Sequence, residues 1–553
     1  MIDRWVMLAL MLYSLGLVGA LLMSGMGVTY DDGFYYFKIA QQVAHGAGST
    51  FDGVHLTNGY HPLWLLCLVP LFWLAPAPDA ALAGGILLQG VLMAAGAGLI
   101  YHIARLAVGR LAASLATLLW VSLTYRLALS GLEFSLHALG VLATGYVYLR
   151  WLAGWPPQPW PYLALGLLVS LTFLARLDTL LLAGVLGLCL GWRELWAGPT
   201  RGAINRLLAF GSPVIVVVLA YVGVNLWLVG HPLPVSGIVK RVWSVYLLAQ
   251  DTHYQAQGWL VAKMYQLLWP FEDLPGNLRM LVPLYGRGAS VVLSYVLYSA
   301  YMVAGTYGAG ALFLAGMRGR WFDSWYSWFC RNLRPWGPFV LFSVLQLLGY
   351  ALLYHGGLST ATWYYVIQPC LTVMLAAALV DWVISIGRAT GQAGRSALWT
   401  RRFLLPIVVL AWCGVLLYPF WSLKQWQDAR RRGLARQPLY DLAQWVGANL
   451  PAGAVVGAWN AGTLGYLSGR RVVNLDGLVN SWDYQQVERD DLCKYWQKAG
   501  ITYLADSFMD RRVVSVVPVY SAYAACADQL ELIWAEQHQA DYGRMEVYQV
   551  RSP

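Results

Sequence analysis

Apolar runs long enough to form helices recur along most of the chain. They lie near residues 5–24, 62–76, 80–104, 110–128, 132–151, 159–175, 178–195, 205–229, 288–316, 335–354, 361–386 and 402–422. Most reach the roughly 18–20 residues that a helix needs to cross a bilayer. The run at 62–76 is short, opens at Pro62 and contains Pro70, so it suits a helix at the interface better than a full span. Leaving it out gives eleven transmembrane helices. Arg4, Arg105, Arg110, Arg150, Arg193, Arg201, Arg206 and Arg388 then share one side, which the positive-inside rule makes cytoplasmic. The first run reads as a retained helix rather than a cleaved signal.

The pattern changes after Trp421. Short β-branched runs (Ala454–Ala458, Val472–Leu475, Thr502–Ala505, Val514–Val519 and Arg544–Val550) alternate with helical stretches at Pro438–Asn449 and Asp483–Ala499. This predicts an α/β domain over residues 426–553, behind a membrane domain over 1–425. With eleven spans and the N-terminus inside, the α/β domain is extracytoplasmic, where Cys493 and Cys526 could pair.

Composition supports the membrane reading: of 553 residues 59% are hydrophobic and 12% charged, and mean hydropathy is +0.53. The formal charge of +10 therefore reflects cytoplasmic anchors, and no nucleic-acid partner is expected. The seven cysteines show no metal-ligand spacing.

The remaining polar residues gather on the outer face. They form a first outer loop (25–76) with Asp31, Asp32 and Thr57–His61, the turns Gly131–Glu133 and Arg176–Asp178, and a long outer loop (230–287) that starts at His231–Lys240; His355 lies beyond it. Asp31 and Asp32 open an amphipathic segment, DDGFYYFKIAQQVAHG, suited to the interface. Capping of that helix is the plainer use of an aspartate there. No internal repeat is visible and the charges form a rim rather than a midplane site, which disfavours the alternative of a lipid-linked glycan flippase or transporter.

An acidic pair after the first span, an interfacial helix and then GYHPLW resembles the first outer loop of GT-C glycosyltransferases. The nearest pattern is the mycobacterial terminal arabinofuranosyltransferase group, through DDGFYYFKIAQQVAHG (Asp31–Gly46), SGLE (Ser130–Glu133), ARLD (Ala175–Asp178) and GHPLPVSGIVK (Gly230–Lys240). The resemblance implies a GT-C fold, a polyprenyl-phosphate-linked sugar as donor, and an inverting transfer to a glycan, lipid-linked or protein acceptor at the outer face of the cell inner membrane. It implies Asp31 as general base, with Asp32 positioning it or the acceptor. Arabinofuranose is the first reading of the sugar, ahead of a hexose or aminoarabinose.

A leaving phosphate needs cations or hydrogen-bond donors at the rim. Lys240 with Arg241 is the first candidate and Arg176 the second, although interfacial snorkelling and an Arg176–Asp178 ion pair are the plainer uses of these residues. Asn58, Tyr60, His61 and His55 are candidates for sugar or phosphate contacts. Glu133 and Asp178 are read as supporting residues. In the C-terminal domain, which resembles the outer domain of many GT-C chains, Trp459, Asn460 and Asp476 are candidates for binding the acceptor. A divalent cation on Asp31, Asp32 and Glu133 is the alternative to the metal-independent reaction expected for a monophosphate donor.

Overall fold

The computed structural model describes residues 2–24, 29–250 apart from 153, 155, 197 and 199, 334–354, 362–389, scattered positions between 413 and 427, 438–487, 492–506, 526, 528–537 and 544–551. The expected span at 288–316, His355, most of 402–422 and the outer loop beyond residue 250 lie outside the described residues.

Among the described residues, the helices of the membrane part are α1 (Ile2–Ser24), α2 (Asp31–Ala44), α3 (Pro62–Leu74), α4 (Pro78–Arg105), α5 (Arg110–Ala128), α6 (Phe134–Val147), α7 (Trp160–Ala175), α8 (Leu180–Trp196), α9 (Arg201–Val229), α10 (Val235–Gln250), α11 (Gly337–Leu353) and α12 (Ile367–Ala389). Among the described residues four helices are long and apolar enough to cross a membrane: Asp3–Leu22, Pro78–Arg105, Arg110–Ala128 and Arg201–Val229. Shorter apolar helices include α3, α7 and α11. This is a multi-pass membrane architecture, with fewer membrane-length helices described than the eleven expected. With 13 residues α3 would rise only about 20 Å, against roughly 30 Å of hydrocarbon.

Ion pairs sort the helix ends into two faces. Asp3 at the start of α1 reaches Arg105 (3.4 Å) at the end of α4 and Arg110 (3.0 Å) at the start of α5. Glu194 on α8 pairs with Arg206 on α9, which also donates to the Pro157 carbonyl. At the opposite ends lie the turns Ser130–Glu133 and Arg176–Asp178, together with α2.

The C-terminal domain contains α13 (Pro438–Asn449), β1 (Val455–Ala458), α14 (Ala461–Leu467), β2 (Arg471–Asn474), α15 (Leu492–Lys498), β3 (Tyr503–Asp506), β4 (Leu530–Gln537) and β5 (Arg544–Val550). The sheet order is β2-β1-β3-β5-β4, with β1 parallel to β2 and β3, and β5 antiparallel to β3 and β4. β4 was not expected; it is an edge strand whose residues are half-buried or exposed, so its sequence lacks a clean inward-outward alternation. The helix expected over Asp483–Ala499 is a short 3-10 turn at Asp483–Gln486 followed by α15. The stretch Val514–Val519 lies outside the described residues. Cys493 and Cys526 form a disulfide, with Cα atoms 5.8 Å apart.

One apolar core fills the helical bundle. A second joins α2 and α3 to the C-terminal domain, with Phe34, Phe37 and Phe72 packed around Tyr466 of α14. The Tyr466 hydroxyl also donates to the Pro78 carbonyl at 2.6 Å. The α/β domain is thus seated on α2 and α3 through a continuous core.

Candidate active site

The turn Ser130–Glu133 is held from several sides. Gly131 adopts φ 84°, a conformation that favours glycine, and a Cβ there would sit 2.6 Å from the Thr29 side chain. Its carbonyl accepts from Trp64 Nε1 (2.9 Å), its amide donates to Gln89 Oε1, and Gln89 Nε2 donates to the Leu132 carbonyl. Glu133 is thereby fixed, 2% exposed, at the head of α6.

Around Glu133 a buried ion cluster forms. Arg176 Nη1 donates to Glu133 Oε1 at 2.6 Å and its Nε lies 3.0 Å from Asp178 Oδ1. Tyr36 donates to Glu133 Oε2 (2.9 Å), and Tyr350 to Asp178 Oδ2 (2.8 Å). Gln346 also donates to Asp178 Oδ2, and the guanidinium carbon of Arg176 lies 4.0 Å over the ring of Tyr364. The guanidinium thus faces two carboxylates and an aromatic ring, leaving it little capacity for a ligand phosphate.

A cavity of about 450 Å³ opens against this cluster. Its polar lining includes Asp32, Tyr60, His61, Lys240, Arg241 and Tyr364, with Tyr35, Tyr36, Ser236, Tyr350 and Tyr354 around them. Glu133, Arg176 and Asp178 form its floor. Half-buried Lys240 donates to the hydroxyl of Tyr364, an uncharged partner, and lies 5.1 Å from the centre of that ring. Among the described residues nothing hydrogen-bonds the Asp32 carboxylate. Burial and the charge of Glu133 raise its pKa, and the ammonium of Lys240 draws it back down. His61, 3.7 Å from Glu133, is pushed by burial to a pKa of about 4, so the ring is neutral at pH 7.

Asp31 turns away from this cavity. Its Oδ1 accepts from the amide and the hydroxyl of Thr463, both at 2.7 Å, and its Oδ2 from the amide of Gly462 at 3.1 Å. Burial and neighbouring Asp32 push its pKa up to about 6 against those hydrogen bonds.

The other candidates are also placed elsewhere. Asn58 is a structural knot: it donates to Asn225 and to the Leu233 carbonyl, and accepts from the Val235 amide and Trp482 Nε1. His55 binds Asp52 (2.8 Å), which also pairs with Arg471, and it lines a second cavity of about 490 Å³. The backbone amides of Trp459 and Asn460 donate to Asp506. Asp476 accepts from Tyr35 (3.1 Å) and from the Leu478 amide (2.7 Å) behind the cavity wall. His231 stacks on Trp482 at 3.8 Å.

Of the tyrosines at the site, the sequence points to Tyr60 but not to Tyr36, Tyr350 or Tyr364. No local pattern shows that Tyr364 serves both Arg176 and Lys240. The three acidic residues offered for a cation do not converge, because Gly462 and Thr463 occupy Asp31 while Arg176 and Tyr36 occupy Glu133. Among the described residues no group of three or more potential metal ligands occurs.

Residues 425–549 match a family model described as a domain of unknown function, DUF8728. No curated protein matches the sequence. Among solved structures, the chain is similar to the oligosaccharyltransferase AglB from Archaeoglobus fulgidus, solved with an inhibitory peptide and a dolichol-phosphate. That similarity has TM-score 0.53 and 13% identity, and covers 100% of this chain and 74% of the other. It is similar also to ArnT from Cupriavidus metallidurans bound to undecaprenyl phosphate, with TM-score 0.50, 14% identity and coverage of 100% and 98%. At these identities the likeness is one of fold: a helical membrane bundle carrying a C-terminal sheet domain.

Proposed function

We propose that this chain is an inverting, membrane-integral glycosyltransferase that moves a sugar from a polyprenyl-phosphate carrier to an acceptor at the outer face of the cytoplasmic membrane. The observation that carries the reading is the cavity itself. It sets a carboxylate without a hydrogen-bond partner among the described residues, Asp32, beside an ammonium whose described hydrogen-bond partner is uncharged, Lys240. Similar folds bind dolichol-phosphate and undecaprenyl phosphate in the two solved relatives.

The chemistry assigns one role to each group. The acceptor oxygen attacks the anomeric carbon as Asp32 takes its proton, and the carbon–oxygen bond to phosphate breaks on the opposite face. The polyprenyl phosphate leaves with the bonding electron pair and is met by Lys240, with Arg241 at the rim. A phosphate is a good leaving group, so proton removal from the acceptor is the step that needs a base. Arg176 anchors the floor rather than the donor, because Glu133 and Asp178 already flank it. A reaction without a metal ion fits these residues, since the acidic trio is dispersed.

A cavity of about 450 Å³ suits the head of a lipid-linked monosaccharide better than an extended glycan. Arabinofuranose, the sugar of the group the sequence resembles, is the donor to test first, with an envelope glycan, a lipid-linked glycan or a protein as acceptor. The disulfide Cys493–Cys526 supports an oxidising, extracytoplasmic side for the domain.

The test uses full-length protein in lipid nanodiscs with synthetic polyprenyl-phosphate sugars and candidate acceptors, following release of free polyprenyl phosphate. Wild type is expected to release carrier in a sugar-dependent way, with or without EDTA, and Asp32→Asn to be slower by about 10²–10⁴-fold. Full activity in Asp32→Asn would remove it as base.

A further inference from the structure

The two adjacent aspartates of α2 face different partners. Asp32 lines the cavity, whereas Asp31 is engaged by three donors of the C-terminal domain: the amides of Gly462 and Thr463 and the hydroxyl of Thr463. The approach is close enough that a Cβ on Gly462 would lie 2.0 Å from the Asp31 carbonyl oxygen. One turn further along α2, Tyr35 donates to Asp476 of the same domain and also lines the cavity. The domain in turn supplies Leu478 and Val479 to the cavity wall.

We propose that Asp31 is a positioning residue, the clamp through which the C-terminal domain is seated on α2 so that Asp32 and the Leu478–Val479 wall face one another across the cavity. A carboxylate suits this task because it accepts all three donors at once, and hydrogen bonds to a charged acceptor are the stronger kind. An adjacent pair of acids then has a division of labour that their spacing conceals: one holds the domain and the other faces the substrate. The effect on turnover rests on the glycosyl-transfer reading; the effect on domain seating does not.

The experiment therefore has two readouts on full-length protein in nanodiscs: backbone hydrogen exchange at Gly462–Thr463, and carrier release as a function of acceptor concentration and pH. The variants are Asp31→Ala, Thr463→Val, Thr463→Ser and the double variant Asp31→Ala/Thr463→Val. Asp31→Ala is expected to speed exchange at Gly462–Thr463 by about tenfold or more, and Thr463→Val by less, because it keeps its amide bond. Both are expected to raise the acceptor KM while leaving the apparent pKa of the pH–rate profile unchanged, and Thr463→Ser to restore wild-type values. The double variant is expected to be no worse than Asp31→Ala, since the two groups form one contact. Unchanged exchange in Asp31→Ala would overturn the clamp, as would an abolished kcat in Asp31→Ala with intact seating and KM in Thr463→Val. Should Asp31→Ala not fold, accelerated exchange in Thr463→Val with rescue by Thr463→Ser still supports the clamp, and normal exchange in Thr463→Val overturns it. If wild type transfers no sugar, the glycosyl-transfer reading fails and the exchange data alone decide the clamp.

Discussion

Arg176 donates to Glu133 at 2.6 Å across two turns that are 43 residues apart in sequence, and both side chains are almost wholly buried. With Asp178 on the other side of the guanidinium, the cluster holds one cation between two carboxylates. Removing the cation leaves both anions uncompensated. Arg176→Met is therefore expected to cost about 3–5 kcal/mol of stability, seen as a clear fall in the apparent melting temperature in detergent. Glu133→Gln retains acceptor capacity for Tyr36 and is expected to be milder. Equal, small losses in both variants would show that the cluster is not the keystone of the floor.

Lys240 has the opposite character. Its partners are the hydroxyl and ring of Tyr364, so its loss breaks no ion pair among the described residues. Lys240→Met is expected to fold with little change in melting temperature and to raise the donor KM by about tenfold or more, the worth of a charge-assisted hydrogen bond. Lys240→Arg keeps the charge and is expected to lose less. A donor KM unmoved by Lys240→Met would transfer the phosphate to another cation of the rim.

These contrasts mark what the sequence could convey. Apolar periodicity and turn chemistry disclosed α2, the short α3 and most strands of the C-terminal domain, because each is written locally. The rim itself was legible too: Asp32, Tyr60, His61, Glu133, Arg176, Asp178, Lys240 and Arg241 do meet in one cavity. What was hidden is which donor finds which acceptor across long sequence distances. Asp31 and Asp32 are neighbours, yet a partner some 430 residues away, Thr463, separates their roles. Likewise Asn58 looks like a ligand-binding amide until Asn225, Val235 and Trp482 occupy it.

Burial pushes the carboxyl of Asp476 up to about 8, helped by the charge of Asp32 and opposed by the Leu478 amide, Asn474 and Tyr35. The folded domain thus keeps a proton that the unfolded chain loses above its ordinary value of 3.8. The sign follows from that: stability falls as pH rises from about 4 towards 8, because the unfolded state sheds the proton first. Asp476→Asn is expected to flatten this slope and to be at least as stable as wild type at pH 7.5. Difference infrared spectroscopy is expected to show a protonated carboxyl band that the variant lacks. A wild type whose stability rises over that range, with no such band, would place a charged Asp476 at the interface.

Gly59 lies in the segment between α2 and α3, against the cavity wall, and an added Cβ would sit 1.9 Å from the carbonyl oxygen of Leu478. Backbone cannot yield there as the tip of a flexible side chain would, so Gly59→Ala must part the loop from the Leu478–Val479 segment. Because both Gly59 and Leu478 line the cavity, one substitution is expected to lower stability by about 1–3 kcal/mol and to impair turnover together. Gly184 provides the control: it is helical, with nothing within 4 Å of an added Cβ, and alanine there is expected to be neutral or slightly stabilising. Melting temperature, carrier release and hydrogen exchange over 474–480 measure the pair. If Gly59→Ala matches Gly184→Ala in all three, the loop and the domain are not in the close contact on which the cavity depends.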